Sequence, residues 1–401
     1  MSSPASIEGL EGDNRTVTSR GEAASRPEVS RPTTRSSTAE RLSALDVFRG
    51  LTVAAMIFVN SPGNWSHAWE PLTHSEWNGC TLADCIFPWF LFILGTAGVL
   101  SLERRRAGGA SSGELAWHAL GRGARIILVG WLIAAFPFTP ERIAHLRLPG
   151  VLPRIGLVFI LGTWTVLALG TPRRLPLAIV ALLALHTYLL TGIGYDLTPE
   201  GNVQLAVDRF LLQGHMWPEA GDPEGIVSTL SATASMLCGT LVGYLLVAGV
   251  EARTKTAWLV GGGVLALVLG ELWSPFLPIN KHLWTGSFVL LTSGAAALLL
   301  AACMWIGERR TLARPLSVLV TFGKNPLAAF VLSELLNRLL LIVHWRQASG
   351  GSISLRAFLF TRGFAWVPHP TLASHLFAFS MVLLWYLVLR IFEARGWYWK
   401  L

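Results

Sequence analysis

Apolar runs of similar length alternate with polar links from about residue 41 to the end of this chain. A helix that crosses a membrane needs about 20 mainly apolar residues. Runs of that kind fall near residues 44–61, 83–102, 118–138, 150–169, 175–192, 226–248, 256–273, 283–305, 319–343 and 374–393. The pattern predicts an all-α fold, a polytopic transmembrane helical bundle of about 10 spans. No internal sequence repeat accompanies it, which weakens an inverted-repeat transporter architecture. Residues 1–40 are rich in Ser, Thr, Arg, Pro and Glu and carry no apolar period. They read as a disordered cytoplasmic leader, a solvated tail without the apolar core of a secretory signal. Residues 41–401 are expected to form the transmembrane domain.

The placement of the arginines orients this bundle. Short links after the second, fourth, sixth and eighth runs hold Arg104, Arg105 and Arg106, then Arg173 and Arg174, then Arg253 and Lys255, then Arg309, Arg310 and Arg314. The link after the first run has no Lys or Arg. Positive residues stay on the cytoplasmic side, so both termini are expected there and the loop bearing His74 on the opposite side. Arg142, Arg147, Arg346, Arg356 and Arg362 run against this bias. Charged residues make up 14% of the chain, against about 25% in soluble domains. The net charge of +8 therefore reads as a topology signal, and no nucleic-acid partner is expected. Trp65, Trp69, Trp77, Trp273, Trp284, Trp397 and Trp399 lie near run ends and read as an interfacial aromatic belt. The four cysteines, Cys80, Cys85, Cys238 and Cys303, lack zinc-site spacing, so no metal is expected.

Polar groups inside or at the ends of spans are expensive and are functional candidates. They concentrate between Arg41 and Leu102. Arg49 and Asn60 stand eleven residues apart on one helical face, roughly 16 Å along the axis. Asp46, three residues before Arg49, can pair with it or serve a ligand. His74 is the loop group able to trade protons near neutral pH, beside Trp77 and Asn78, and it can equally be solvated surface. Asp84 closes a Thr81–Asp84 capping box at the start of the second run. Arg154 falls inside an apolar stretch and needs a partner or a wet cavity. The loop 193–225 carries Asp196, Asp208, His215, Asp222 and Glu224, and Gly323-Lys324-Asn325-Pro326 interrupts the ninth run.

Taken in order, LDVFRG, MIFVN, LTHSEWNG and TLADCIFPWFLFILG, then PGVLPRIG, DLTPEGN, GHMW, DPEGIVST, NKHLWTGSFVL and GKNPL, resemble the landmarks of the heparan-α-glucosaminide N-acetyltransferase family of membrane acyltransferases. The resemblance implies transfer of an acetyl group from cytoplasmic acetyl-CoA, as co-substrate, to a glucosamine-type amino sugar on the far side of a bacterial inner membrane. The family's catalytic His lies in a His-x-x-Trp-Asn-Gly motif, here His74, Trp77, Asn78 and Gly79. The family's Asn at the end of the preceding span corresponds to Asn60. Asp46, Arg49, Asp84, Arg154, Lys324 and Asn325 fall in its other motifs and are candidate binding residues. Pro153 stands where Gln is usual and Phe330 where Tyr is common. Under this reading Arg49 and the link arginines take the donor's phosphates. The donor's arm follows the Arg49–Asn60 face, and His74 accepts the acetyl group or deprotonates the amine. The implied partners are an amino-sugar or glycan acceptor and membrane lipids, with a homodimer as a further expectation. An amino-sugar permease without chemistry, and O-acyl transfer to an envelope glycan, are the competing functions.

Overall fold

The computed structural model describes residues 34–217, 221–307, 310–346 and 351–399, with side-chain surroundings from residue 44 in the first helix and from 316 in the eleventh. The helices in chain order are α1 (Thr34–Val59), α2 (Leu82–Ala107), α3 (Ser112–Ala135), α4 (Pro140–Ala144), α5 (Val151–Leu169), α6 (Leu175–Thr191) and α7 (Val203–Leu212). They continue as α8 (Ser228–Val247), α9 (Ala252–Trp273), α10 (Gly286–Gly307), α11 (Arg310–Lys324), α12 (Pro326–Ile342), α13 (Leu355–Phe364) and α14 (Pro370–Ala394). One hairpin pairs β1 (His344–Arg346) with β2 (Ser352–Ser354). Among the described residues eight helices are long and apolar enough to cross a membrane, and they coincide with eight of the expected runs. The ninth run is broken into two helices, bent by 84° between Lys324 and Pro326. Pro326 cannot donate to the preceding turn, so the Gly-Lys-Asn-Pro sequence ends one helix and starts the next. The first run lies in α1, which begins at Thr34, inside the expected leader; residues 1–33 of that leader lie outside the described residues, as do Arg309 and the side chains of Arg310 and Arg314. The protein is an all-α, multi-pass membrane helical bundle.

Small residues let these helices approach without gaps, as they must where lipid offers no hydrophobic drive for helix association. A Cβ on Gly50 would stand 1.7 Å from the Leu319 carbonyl oxygen, and one on Gly323 2.0 Å from that of Asp46. This locks α1 to α11 beside Arg49. The same mutual contact joins α3 to α5, where each of Gly123 and Gly156 faces the other's carbonyl oxygen. Thr96 on α2 donates to Phe92 and across to Gly239 on α8, so its hydroxyl ties two spans. Trp284 departs from the expected belt. It is buried, sets its ring edge-on against Phe87 and Phe288, and donates to Ser235. Its φ of 54° turns the chain sharply into α10 and drives the indole inward.

Candidate functional site

Two polar neighbourhoods form on the face that carries the long loops. The first is built by the loop from Asn60 to Thr81 folding back on the start of α2. Thr81 caps α2 and Asp84 completes the capping box, as the sequence predicts. One carboxylate oxygen of Asp84 accepts from the backbone N–H groups of Ser75 and Thr81 and from the Thr81 hydroxyl, each at 3.0 Å. The other lies 2.8 Å from His74 Nδ1 and 3.2 Å from Lys281 Nζ. Asp84 is fully buried, whereas His74 keeps 49% of its side chain exposed. The cap residue is thus also the orienting partner of the histidine. An ionised carboxylate only accepts, so a neutral imidazole places its proton on Nδ1 and keeps a lone pair on Nε2. Lys281 compensates the buried charge of Asp84, and its Nζ lies 2.9 Å from His74 Nδ1 and 3.4 Å from Nε2. Asn280 donates to Asn78, and Trp77 donates to the Leu197 carbonyl and packs on His282. The motif residues around His74 therefore stitch three loops together. Cys80 and Cys85 are free thiols with sulfurs 3.5 Å apart.

The second neighbourhood surrounds Asn60. A cavity of ≈ 580 Å³ is lined by Asn60, Glu334, Arg338, Arg142, Trp217 and Phe330, among others. A contiguous opening of ≈ 460 Å³ shares Asn60, Arg142, Glu334 and Arg338 and reaches Trp65. His74 is absent from the lining of both, so the two residues expected to act together are set in separate walls. Glu334 and Arg338 lie four residues apart on one face of α12. Both are charged residues within an apolar run, the signal that singles out Arg154, yet the expected site omits them. Arg147, also lining this cavity, is held by Asp222 and Glu224 and lies over the Trp217 ring. That pairing accounts for one arginine against the positive-residue bias.

A third cavity, of ≈ 390 Å³, opens toward the arginine-bearing links and is lined by Arg105, His118, Arg122, Met56, Trp399 and Phe330, among others. It shares Val151, Leu152 and Phe330 with the Asn60 cavity. The lining residues step in order along each wall: Met56 then Asn60 on α1, Arg122 then Gly130 on α3, Leu327 then Phe330 and Glu334 on α12. The two cavities thus border the face of α1 that the Arg49–Asn60 spacing predicts, and they share a wall at Val151, Leu152 and Phe330. Arg49 itself lines neither; the guanidinium pairs with Asp46 at 2.9 Å and donates to the Gly323 carbonyl. Lys324 pairs with Glu393, and Asn325 exchanges hydrogen bonds with the backbone of Trp397 and Trp399. These two expected ligands hold the C-terminal segment, and through it the Trp399 wall of the third cavity.

Arg154 is buried under Trp284, whose ring centroid lies 5.1 Å from the guanidinium, and donates to Ser228 and the Gly225 carbonyl. Nearby, Asp208 on α7 accepts from the Ile226 N–H at 2.9 Å, while its second oxygen is buried without a partner. Burial pushes this carboxyl from 3.8 up to about 6, with Asp222 adding repulsion. The native state thus holds the proton where the unfolded chain has lost it. Stability from this group is intact below pH 4 and declines as pH rises to about 6. Asp208→Asn removes the late ionisation, so it is expected to raise stability by about 1–3 kcal/mol at pH 8 and to give no gain at pH 4. Thermal unfolding in detergent at the two pH values checks this, and an equal shift at both would refute it.

An all-α bundle with two neighbouring cavities, one lined by Arg105 and Arg122 and the other by Asn60, Glu334 and three arginines, defines a polytopic membrane protein with an internal polar site. The chain belongs to the heparan-alpha-glucosaminide N-acetyltransferase family, whose catalytic-region profile matches residues 41–260. It is 30% identical over 329 residues to the heparan-alpha-glucosaminide N-acetyltransferase of Mus musculus and 29% identical over 324 residues to that of Homo sapiens. These alignments cover 67% and 65% of this chain and 50% and 48% of the relatives. The chain therefore spans about half the length of the curated relatives it matches.

Proposed function

We propose that this protein moves an acetyl group from acetyl-CoA, bound from the cytoplasmic side, to the amine of an amino sugar on the opposite side of the membrane. The observation that carries the reading is the pair of neighbouring cavities that share Val151, Leu152 and Phe330 in their linings. A donor with a polyanionic head and a long thin arm suits such a pair, with arginines at the mouth of one and polar groups lining the other. Arg105 and Arg122 would hold the donor's phosphates, since guanidinium groups suit phosphate oxygens. The arginines in the links support a cytoplasmic position for this mouth and for both termini. His74, with Nδ1 committed to Asp84, offers Nε2 as base or acetyl acceptor. Asn60 Nδ2 is the amide donor available to a developing oxyanion. That the relatives are heparan-alpha-glucosaminide N-acetyltransferases supports an amino-sugar acceptor.

The test is purified protein in liposomes with labelled acetyl-CoA outside and glucosamine enclosed, repeated with both orientations separated. Acid-stable N-acetylated sugar formed in donor-dependent fashion is the expected product. Sugar crossing the membrane unacetylated and indifferent to acetyl-CoA would replace the enzyme reading with a permease. A hydroxylamine-labile ester on the sugar would mark O-acyl transfer.

A further inference from the structure

We infer that Glu334 is a catalytic residue that binds the acceptor as an ammonium group and takes its proton during transfer. The inference rests on the acetyl-transfer reading above for the identity of the reaction. Glu334 projects from the half of the bent helix pair that follows Pro326 and lines both openings around Asn60. Among the described residues its recorded contact is a long one, 3.5 Å from Asn60 Nδ2, and no ion pair within 4.0 Å reaches it. Arg338, on the same face of α12, has its Nε buried without a partner. A half-buried carboxylate on the wall of an open chamber, with no ion pair within 4.0 Å, offers a site for a ligand's cation.

The chamber supplies the other contacts an amino sugar needs. Trp217 lines its inner part and Trp65 its outer opening, and either ring can cover the apolar face of a sugar. Arg142 and Arg338 present donors to ring oxygens. The chemistry requires a base at this point. An amine that carries a third proton has no lone pair, and the nitrogen must shed one to attack the acetyl carbon. In the step proposed, the new bond joins the amine nitrogen to the acetyl carbonyl carbon. The bond from that carbon to the thioester sulfur breaks with its electron pair. From ammonium to amide the nitrogen sheds two protons. Glu334 takes the first and yields it to water, then takes the second as the intermediate collapses and passes it to the departing thiolate, so the carboxylate is regenerated. Asn60, beside it, is placed to donate to the carbonyl oxygen as charge develops there. If His74 accepts the acetyl group first, the thiolate leaves in that earlier step and takes its proton from water. The amine then displaces the imidazole, whose Nε2 departs with the electron pair while Nδ1 keeps its proton, and both protons shed by nitrogen pass by way of Glu334 to water.

Calorimetry gives a readout that needs no turnover. Glucosamine carries the charge that Glu334 would recognise, and N-acetylglucosamine does not. Glu334→Gln, nearly isosteric and able to keep the Asn60 contact, is expected to weaken glucosamine binding at least about 10-fold and leave N-acetylglucosamine binding unchanged. Turnover at pH 7 should fall about 10²–10³-fold, with the KM for acetyl-CoA unaltered, and should recover in part with added formate. Its rate should climb with pH as the amine deprotonates by itself, where the wild type levels off. Glu334→Asp should retain more activity than Glu334→Gln. Loss of turnover in the wild type with Glu334-dependent glucosamine binding would defeat the acetyl-transfer reading and keep the amine site. Unchanged glucosamine affinity and rate in a folded Glu334→Gln protein would defeat this inference alone.

Discussion

Replacing Asp84 with Asn is expected to lower acetyl transfer about 10³–10⁴-fold while the protein stays folded. The effect follows from the two jobs of one side chain. One oxygen receives the N–H groups of Ser75 and Thr81 and the Thr81 hydroxyl, and the other receives His74 Nδ1. Asn has the same shape and caps helices about as well as Asp, so the start of α2 should survive within about 1 kcal/mol. The charge is lost, and with it the reason for the imidazole proton to sit on Nδ1. An amide beside His74 can donate to Nδ1 instead, which moves the proton to Nε2 and removes the lone pair that the chemistry uses. Lys281 would then lack its carboxylate and compete for the imidazole from 2.9 Å. His74→Ala should cost a similar factor. Residues that act as a unit are not additive, so the double variant should be no worse than the worse single one. Rates measured on folded, monodisperse protein decide the matter. Two penalties that multiply, or an Asp84→Asn enzyme of normal rate, would show that His74 does not depend on this carboxylate.

The sequence makes the bundle legible because span length, link charge and helix breakers each follow from local chemistry. The Gly-Lys-Asn-Pro interruption and the Thr81–Asp84 cap need only a few neighbouring residues to recognise. The site is harder because its partners come from far along the chain. Asp84 reads as a cap, and it is one, but the ten-residue loop that returns His74 to it has no periodicity to betray its path. Lys281 arrives from 207 positions away. Arg147 seems misplaced as a lone cation and is explained once Asp222 and Glu224 surround it. At Lys324 and Asn325, polar residues at membrane depth that invite a ligand role, the partners the sequence does not reveal are Glu393 and the Trp397–Trp399 backbone. Glu334 and Arg338 were readable in principle, being charges four residues apart in an apolar run. Trp284 misleads because its position near a run end carries no information about a φ of 54°.

The second large effect concerns the donor. Arg105→Gln combined with Arg122→Gln is expected to raise the KM for acetyl-CoA about 100-fold, roughly 2.7 kcal/mol, with kcat at saturating donor within a few-fold of wild type. Each guanidinium contact to a phosphate is a charge-assisted hydrogen bond worth about 1.5–3 kcal/mol. These contacts are made equally before and during acyl transfer, so their loss belongs in KM rather than in kcat. Both arginines line the cavity that shares Phe330 with the Asn60 chamber, whereas Arg49 is already spoken for by Asp46 and Gly323. Arg49→Gln should therefore disturb the α1–α11 contact more than donor affinity. Two further measurements separate a phosphate site from general damage. Raising ionic strength should weaken acetyl-CoA use by the wild type and much less by the double variant, because the screened charges are gone. Acetyl-pantetheine, which has the arm and thioester without the phosphates, should be used equally by both. If the double variant handles acetyl-CoA and acetyl-pantetheine as the wild type does, the donor does not enter between α3 and α12, and the cavity has another cargo.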